Sequence, residues 1–242
     1  MEEQIVERLA AAHAARRQFA TSELAPPLDV AAVYRIQDQL YERLAPGARP
    51  RAWKVGGPSA DAEPTIAPIL PGRLLASGAN AAAGEFHMIG VEAEIAFRFR
   101  HDAERELTHA VGEAVVAIEL CDSRLADWQS AAPLWKLADN QLNWGLVVGS
   151  GTARWQEIDF RAQSAELWIG GERRMAVKGV HPYGTPFALL PWTVAHVAGR
   201  TGGLRAGDVV TTGSWGGMHF AAPGDEVIAR FPGIGEARVT VK

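Results

Sequence analysis

Residues 89–100, "IGVEAEIAFRFR", set two glutamates one position apart inside a stretch that otherwise reads as a β-strand. Val91, Ala93, Ile95, Phe97 and Phe99 alternate down one face, the period of a half-buried strand. Glu92 and Glu94 share the opposite face, with Cα atoms roughly 6–7 Å apart. On its own, this stretch has an ordinary explanation. A sheet with one face in water carries charge on that face.

Working outward, residues 115–128, "VVAIELCDSRLADW", change the balance. The run 114–120 is apolar on both faces except at Glu119, and a strand apolar on both sides is usually buried. A buried carboxylate left ionised and unpaired is costly, so Glu119 is expected to be protonated, ion-paired or bound to a cation. An arginine partner and a metal both meet that need. Like-charged carboxylates about 4 Å apart repel by around 4 kcal/mol each at an effective dielectric near 20. A divalent cation would turn that repulsion into attraction. Read as hard oxygen ligands with no histidine or cysteine counted beside them, donors of this kind select Mg²⁺ or Mn²⁺ over zinc.

The chain as a whole has 242 residues, 48% of them hydrophobic, enough to bury a sizeable core. A net charge of −4 without any dense Lys/Arg cluster argues against nucleic acid or an anionic membrane as the main partner. The single cysteine, Cys121, permits no internal disulfide and fits a reducing compartment. Acidic residues from position 2 onward are unlike a secretory signal, and no stretch approaches the length of an apolar membrane span. These features lead us to expect a soluble, cytoplasmic protein.

Two helices are expected at the start, over residues 3–19 and about 28–44, the second opening after Pro26-Pro27 with an aspartate in its first turn. From Trp53 onward the chain turns to short β-branched and aromatic runs divided by Gly, Pro and Asn, interrupted by one clear helix near 186–199. Such spacing predicts a mostly antiparallel sheet that curls on itself or packs as a sandwich. The expected division is a helical region over residues 1–50 and a β-rich catalytic domain over residues 51–242. Lys54 lies in "WKVGG", just ahead of Gly56 and Gly57, which would let backbone N–H groups approach a ligand. A surface lysine at a strand end is the plainer reading.

These motifs carry a resemblance. "YRIQDQL", "WKVGG", "VEAEIAF", "IELCDSRLADW", "LADN", "GLVVGSG" and residues 204–241, which contain "TTGSWGG" and "PGD", together resemble the 2-keto-4-pentenoate hydratase / 4-oxalocrotonate decarboxylase family of the fumarylacetoacetase superfamily. The resemblance implies an α+β fold, a mixed β-roll of the fumarylacetoacetase C-terminal-domain type with an N-terminal helical region. It implies Mg²⁺ or Mn²⁺ held by Glu92, Glu94 and Glu119. It further implies a catalytic Lys54, with a pKa lowered by the cation and low-polarity walls, and a small keto or dienoic acid substrate. Gly56, Gly57, Asp139, Thr212, Gly213 and Ser214 would bind that substrate. Homo-oligomers are expected by the same resemblance, and so is a possible partner enzyme in a hydratase–decarboxylase assembly.

In two places the chain departs from the pattern. Small positions that often follow "ADN" are replaced by Gln141, Leu142 and Asn143. The segment after the lysine is short, and "EPTIAP" places Thr65 where relatives carry an acid, leaving Glu63 or Asp61 to serve instead. The rival readings are a C–C hydrolase or β-keto acid decarboxylase of the wider superfamily, a non-catalytic keto-acid binder, and a structural subunit. Hydrolases of that kind use a His–Glu pair on a lid, and no histidine lies between Lys54 and Glu85.

Overall fold

The structure, a computed structural model, describes residues 1–103 and 106–242. Helix α1 (Glu2–Ala15) buries Ile5, Val6, Leu9 and Ala12. It stops short of residue 19, because Arg16 takes the left-handed conformation at φ 50°. That turn frees Phe19 to pair with Leu125, through Phe19 N–H to Arg124 O at 3.1 Å and Ala126 N–H to Phe19 O at 2.8 Å. Helix α2 (Val30–Leu44) is capped by Asp29, whose carboxylate accepts from Ala32 N–H at 2.7 Å.

Among the described residues thirteen strands follow: β1 (Ala52–Gly56), β2 (Thr65–Pro68), β3 (Leu74–Ala76), β4 (Ala79–Ala81), β5 (Gly90–Phe99), β6 (Val111–Cys121), β7 (Asn143–Thr152), β8 (Ser164–Ile169), β9 (Glu172–Lys178), β10 (Val209–Ser214), β11 (His219–Phe220), β12 (Glu226–Phe231) and β13 (Gly235–Val241). Among them lie short helices α3 (Leu107–Ala110) and α4 (Pro133–Ala138), and the longer α5 (Leu190–Thr201). The larger sheet runs β2-β1-β10-β5-β6-β7-β3, with β11 added to β5, and the smaller runs β4-β13-β12-β8-β9. Most pairs are antiparallel; β1 with β10, β3 with β7 and β4 with β13 are parallel.

The main core lies between the two sheets. Val91, Ala93, Ile95, Phe97 and Phe99 of β5 and Val116, Ile118 and Leu120 of β6 join residues of the smaller sheet such as Leu167, Val227 and Phe231. The other face of the larger sheet is not a solvated one. Ala96, Val115, Ala117, Leu146, Val209, Ala52 and Ile69 form a second, smaller apolar cluster there. A third cluster joins α1 and α2 to Phe19, Leu125 and Trp135, so the helical layer draws on α4 as well as on residues 1–50.

Candidate metal and lysine site

The pleat decides which side chains meet. On β5 and β6, the positions in phase with Ala96 and Ala117, away from the main core, include Glu92, Glu94 and Glu119. Glu92 lies directly opposite Glu119, and Glu94 opposite Ala117. Lys54 on β1 pairs with Thr211 on β10, and β10 pairs with β5. Lysine and carboxylates therefore converge from β1, β5 and β6, with Thr211 of β10 between them, at one end of the small apolar cluster.

Two irregularities in pairing complete the arrangement. Between Thr211 and Ser214, β10 carries an extra residue against β5, with Gly213 at φ 95°, a conformation glycine adopts without a Cβ clash. The bulge aims both the Thr211 hydroxyl and the Gly213 N–H (3.1 Å) at Glu94 Oε2. A second register shift, between Leu120 and Cys121, sets β7 so that Asn143 Nδ2 donates to Glu119 Oε1 at 2.8 Å.

Lys54 Nζ donates to Glu119 Oε1 at 2.6 Å and to the Gln141 carbonyl at 3.1 Å. The buried carboxylate thus has an ion-pair partner, and it is this lysine rather than an arginine. Glu94 and Glu119 have no exposed surface, and Glu94 Oε1 and Glu119 Oε2 have no hydrogen-bond partner. Such orphaned buried oxygens fit a cation, which would satisfy both. Among the described residues, one donor atom each from Glu92, Glu119 and Cys121 lies within 4.8 Å of the others.

The lowered pKa expected of Lys54 belongs to a site with its cation bound; the protein's own groups, taken alone, act the other way. Burial works to depress its pKa, but the negative groups around it, Glu119 foremost, more than offset that and hold it above the ordinary lysine range. Glu92 is pushed up to about 7 by burial and then by Glu119. Burial, with Glu119 and Glu92, raises Glu94 well above the usual carboxylate range, and burial likewise raises the Cys121 thiol. Without a cation, the protein's own groups favour protons on the Glu92 and Glu94 carboxyls and an ammonium on Lys54.

Other expected site residues fall into two groups. Gly56, Gly57, Gly213 and Ser214 are partly exposed. An added Cβ at Gly57 would crowd the Tyr183 hydroxyl, whereas one at Gly56 would stand at an ordinary 3.9 Å from Gly213 Cα. Thr212 is buried, its hydroxyl donating to Ile95 O at 2.6 Å, so it braces the sheet while its neighbour Thr211 faces the site. Asp139 requires a correction as a substrate contact. It is fully buried, accepting from Ser123 Oγ (2.9 Å), Arg124 N–H (3.0 Å) and the Arg124 guanidinium, and so has no surface to offer. Burial raises its pKa against the pull of Arg124. Glu63 and Asp61 are exposed and make no hydrogen bond to Lys54, whereas Thr65 is tied to the site through Gln141, whose Nε2 donates to Thr65 Oγ1 at 2.5 Å.

Thr211 and Cys121 escaped sequence reading as contributors, and Gln141 and Asn143, marked there as departures, were given no task. Cys121 was open to detection, being two residues beyond Glu119 and so on the same face of its strand. Gln141 was not. It belongs to three successive residues, Asn140, Gln141 and Leu142, at φ 50°, 55° and 64°.

Residues 57–242 match the family described as fumarylacetoacetate (FAA) hydrolase C-terminal. A 2-keto-4-pentenoate hydratase of Burkholderia vietnamiensis is 33% identical over 156 residues, 62% of this chain and 59% of that protein's length. One from Paraburkholderia phymatum is 29% identical over 253 aligned positions, covering 98% of this chain and 96% of that protein. In fold the chain is similar to the 4-oxalocrotonate decarboxylase of Pseudomonas putida G7, solved with magnesium and adipate, with a TM-score of 0.86 and 20% identity, covering 100% of this chain and 98% of that one. The expected mixed β-roll with a helical start holds, and the chain is an enzyme that belongs to the fumarylacetoacetate hydrolase C-terminal family.

Proposed function

We propose that this chain is a divalent-metal-dependent lyase acting on a 2-keto or 2-hydroxydienoic acid. The observation that carries the reading is the Lys54–Glu119 contact at 2.6 Å, set beside two buried carboxylate oxygens that lack partners. Relatives named as hydratases and a fold neighbour named as a decarboxylase, the latter with magnesium and a dicarboxylate, support it. Glu92, Glu94 and Glu119 would hold Mg²⁺ or Mn²⁺. Such an ion would bind a substrate's carboxylate and 2-oxygen and stabilise negative charge developing there.

The chain's own groups then have definite tasks. Lys54 Nζ moves a proton at C3, next to the keto carbon. Its proton is held by carboxylates whose charge a dication would take up, so metal loading would lower the Lys54 pKa and free its amine to accept a proton. The Gln141 carbonyl fixes the direction of Nζ, and Gly213 and Ser214 border the open side. Water addition needs a second proton carrier. Thr65 occupies the neighbouring position and does not ionise near neutral pH, while Glu63 is exposed and would have to swing in. This favours tautomerisation or decarboxylation, which rely mainly on enolate stabilisation, over hydration.

The test is an NMR assay with Mg²⁺ and 2-hydroxypenta-2,4-dienoate, following deuterium entry at C3 and water addition together. Fast exchange with slow hydration is the expected result. Hydration as fast as exchange, undiminished in an Asp61→Asn/Glu63→Gln double variant, would show that the missing-acid argument is wrong. No exchange at all would remove the lyase reading.

A further inference from the structure

Cys121 ends β6 two residues beyond Glu119, so its thiol lies on the carboxylate side while Leu120, between them, faces the main core. Its partner across β5 is Gly90, where an added Cβ would approach Cys121 Cβ to 2.9 Å and Met218 Sδ to 2.8 Å. Glycine opposite lets the Cys121 and Met218 side chains pack against the bare backbone. The thiol is fully buried, and its polar neighbour is Glu92, at 3.9 Å from Sγ to Oε2. A cysteine used as a small apolar filler would face apolar groups. This one faces a carboxylate, and Glu119, whose Oε2 is buried and unpartnered, offers a donor atom within 4.8 Å of it.

We propose that Cys121 is a metal ligand, so that Glu92, Glu119 and Cys121 form a mixed oxygen–sulfur donor set that takes a thiophilic divalent cation more tightly than Mg²⁺. Donors around one zinc-class ion stand about 3.5 Å apart at bond lengths near 2.0–2.3 Å, so side-chain rotation of roughly 1 Å closes this group. Thiolate selects zinc-class ions, while Mg²⁺ keeps to oxygen donors. On binding, the thiol gives its proton to solvent and the sulfur lone pair goes to the metal, so uptake of a thiophilic ion releases one proton more than uptake of Mg²⁺ at this position. The site would then accept two cation classes, by carboxylates alone or by carboxylates with sulfur. The inference rests on the proposed function only in taking this cluster as the metal site.

Chelator-treated full-length protein is titrated with Co²⁺ and Cd²⁺, reading the thiolate-to-metal charge-transfer absorbance, and with Mn²⁺ by calorimetry. The same titrations are run on Cys121→Ala and Cys121→Ser, each first checked by melting, with serine keeping the side chain's size. The wild type should show the band and both variants should lose it. Cd²⁺ affinity should fall at least about tenfold in the variants, while Mn²⁺ affinity changes by less than about threefold. Co²⁺ or Cd²⁺ binding without the band, or a band that survives in a folded variant, overturns the proposal. If Mn²⁺ binds and Glu119→Gln abolishes that binding while no band is seen, the sulfur ligand alone is wrong. If no divalent cation binds, the metal-dependent function falls with it.

Discussion

Replacing Asp139 by alanine separates a scaffold role from a substrate role. The carboxylate accepts from Ser123 Oγ, from the Arg124 backbone N–H and from the Arg124 guanidinium, and Arg124 itself is only 3% exposed. Truncation leaves a buried guanidinium with carbonyl partners alone, Asp139 O and Asn143 O, and strands two further donors. Breaking a buried pair from one side costs about 3–5 kcal/mol. In a domain of this size each kcal/mol moves the melting temperature by about 2–4 °C, so the variant should melt roughly 6–20 °C below wild type. Replacing both partners by apolar residues of similar volume, Asp139→Leu with Arg124→Met, should recover only part of the loss: the desolvation costs of the two charges vanish, but the buried Asp139 and Asn143 carbonyls lose the guanidinium that holds the turn. The assay is thermal unfolding followed by circular dichroism on the full chain, with KM for the active substrate measured below the transition. An Asp139→Ala protein melting within about 2 °C of wild type while its KM rises sharply would refute the scaffold reading.

Three further outcomes follow from the site and its surroundings. Lys54→Met should lower turnover by about two orders of magnitude or more, the scale of general acid–base catalysis, while calorimetry still detects metal binding. Mg²⁺ or Mn²⁺ should raise the melting temperature of the wild type, since it binds the folded state, and Glu119→Gln should abolish that rise. His13, whose Nε2 is buried without a partner, has its pKa pulled well below 6.5 by burial and then by Arg124 and Arg73. The fold therefore keeps it neutral, and its contribution is present above pH 6.5 and lost as pH falls below that value. The loss amounts to as much as about 1.4 kcal/mol per pH unit. From pH 7.5 to about 5 the melting temperature of the wild type should fall relative to that of His13→Leu, a difference in which the remaining slope from His181 and the opposing contribution of the raised Glu92 and Glu94 carboxyls cancel.

The sequence reveals faces better than partners. Alternation in β5 and the doubly apolar β6 were enough to find both strands and to mark Glu119 as buried, because period and burial are local properties of the chain. What alternation does not encode is which strands meet. Lys54 and Glu119 are 65 residues apart and come together only because β1, β10, β5 and β6 are laid side by side. β9, "ERRMAVK", escaped for a different reason. It lies at the edge of the smaller sheet with only Met175 buried, so it lacks the apolar period that marks a strand. Asp139 was found and given the wrong task. A polar residue inside a motif looks the same whether it faces a ligand or pins a turn, and only the Arg124 contact distinguishes them.

That pinned turn ties the scaffold to the chemistry. Three consecutive non-glycine residues in the left-handed region each cost roughly 1–2 kcal/mol, so Asn140–Leu142 would not hold its shape alone. Arg124 grips it from both ends, through Asp139 before the turn and the Asn143 carbonyl after it. Two results of the strained path reach the site. Gln141 turns its carbonyl to Lys54 and its amide to Thr65, and Asn143 enters β7 with its amide on Glu119. The lysine is thus fixed by a carboxylate from one strand and a carbonyl from a turn 87 residues away. A relaxed turn would leave that carbonyl pointing elsewhere, and the ammonium with one anchor instead of two. The "DSR" and "ADN" motifs therefore act together as a brace for the lysine, and the strain they hold sets the direction in which the Lys54 ammonium points.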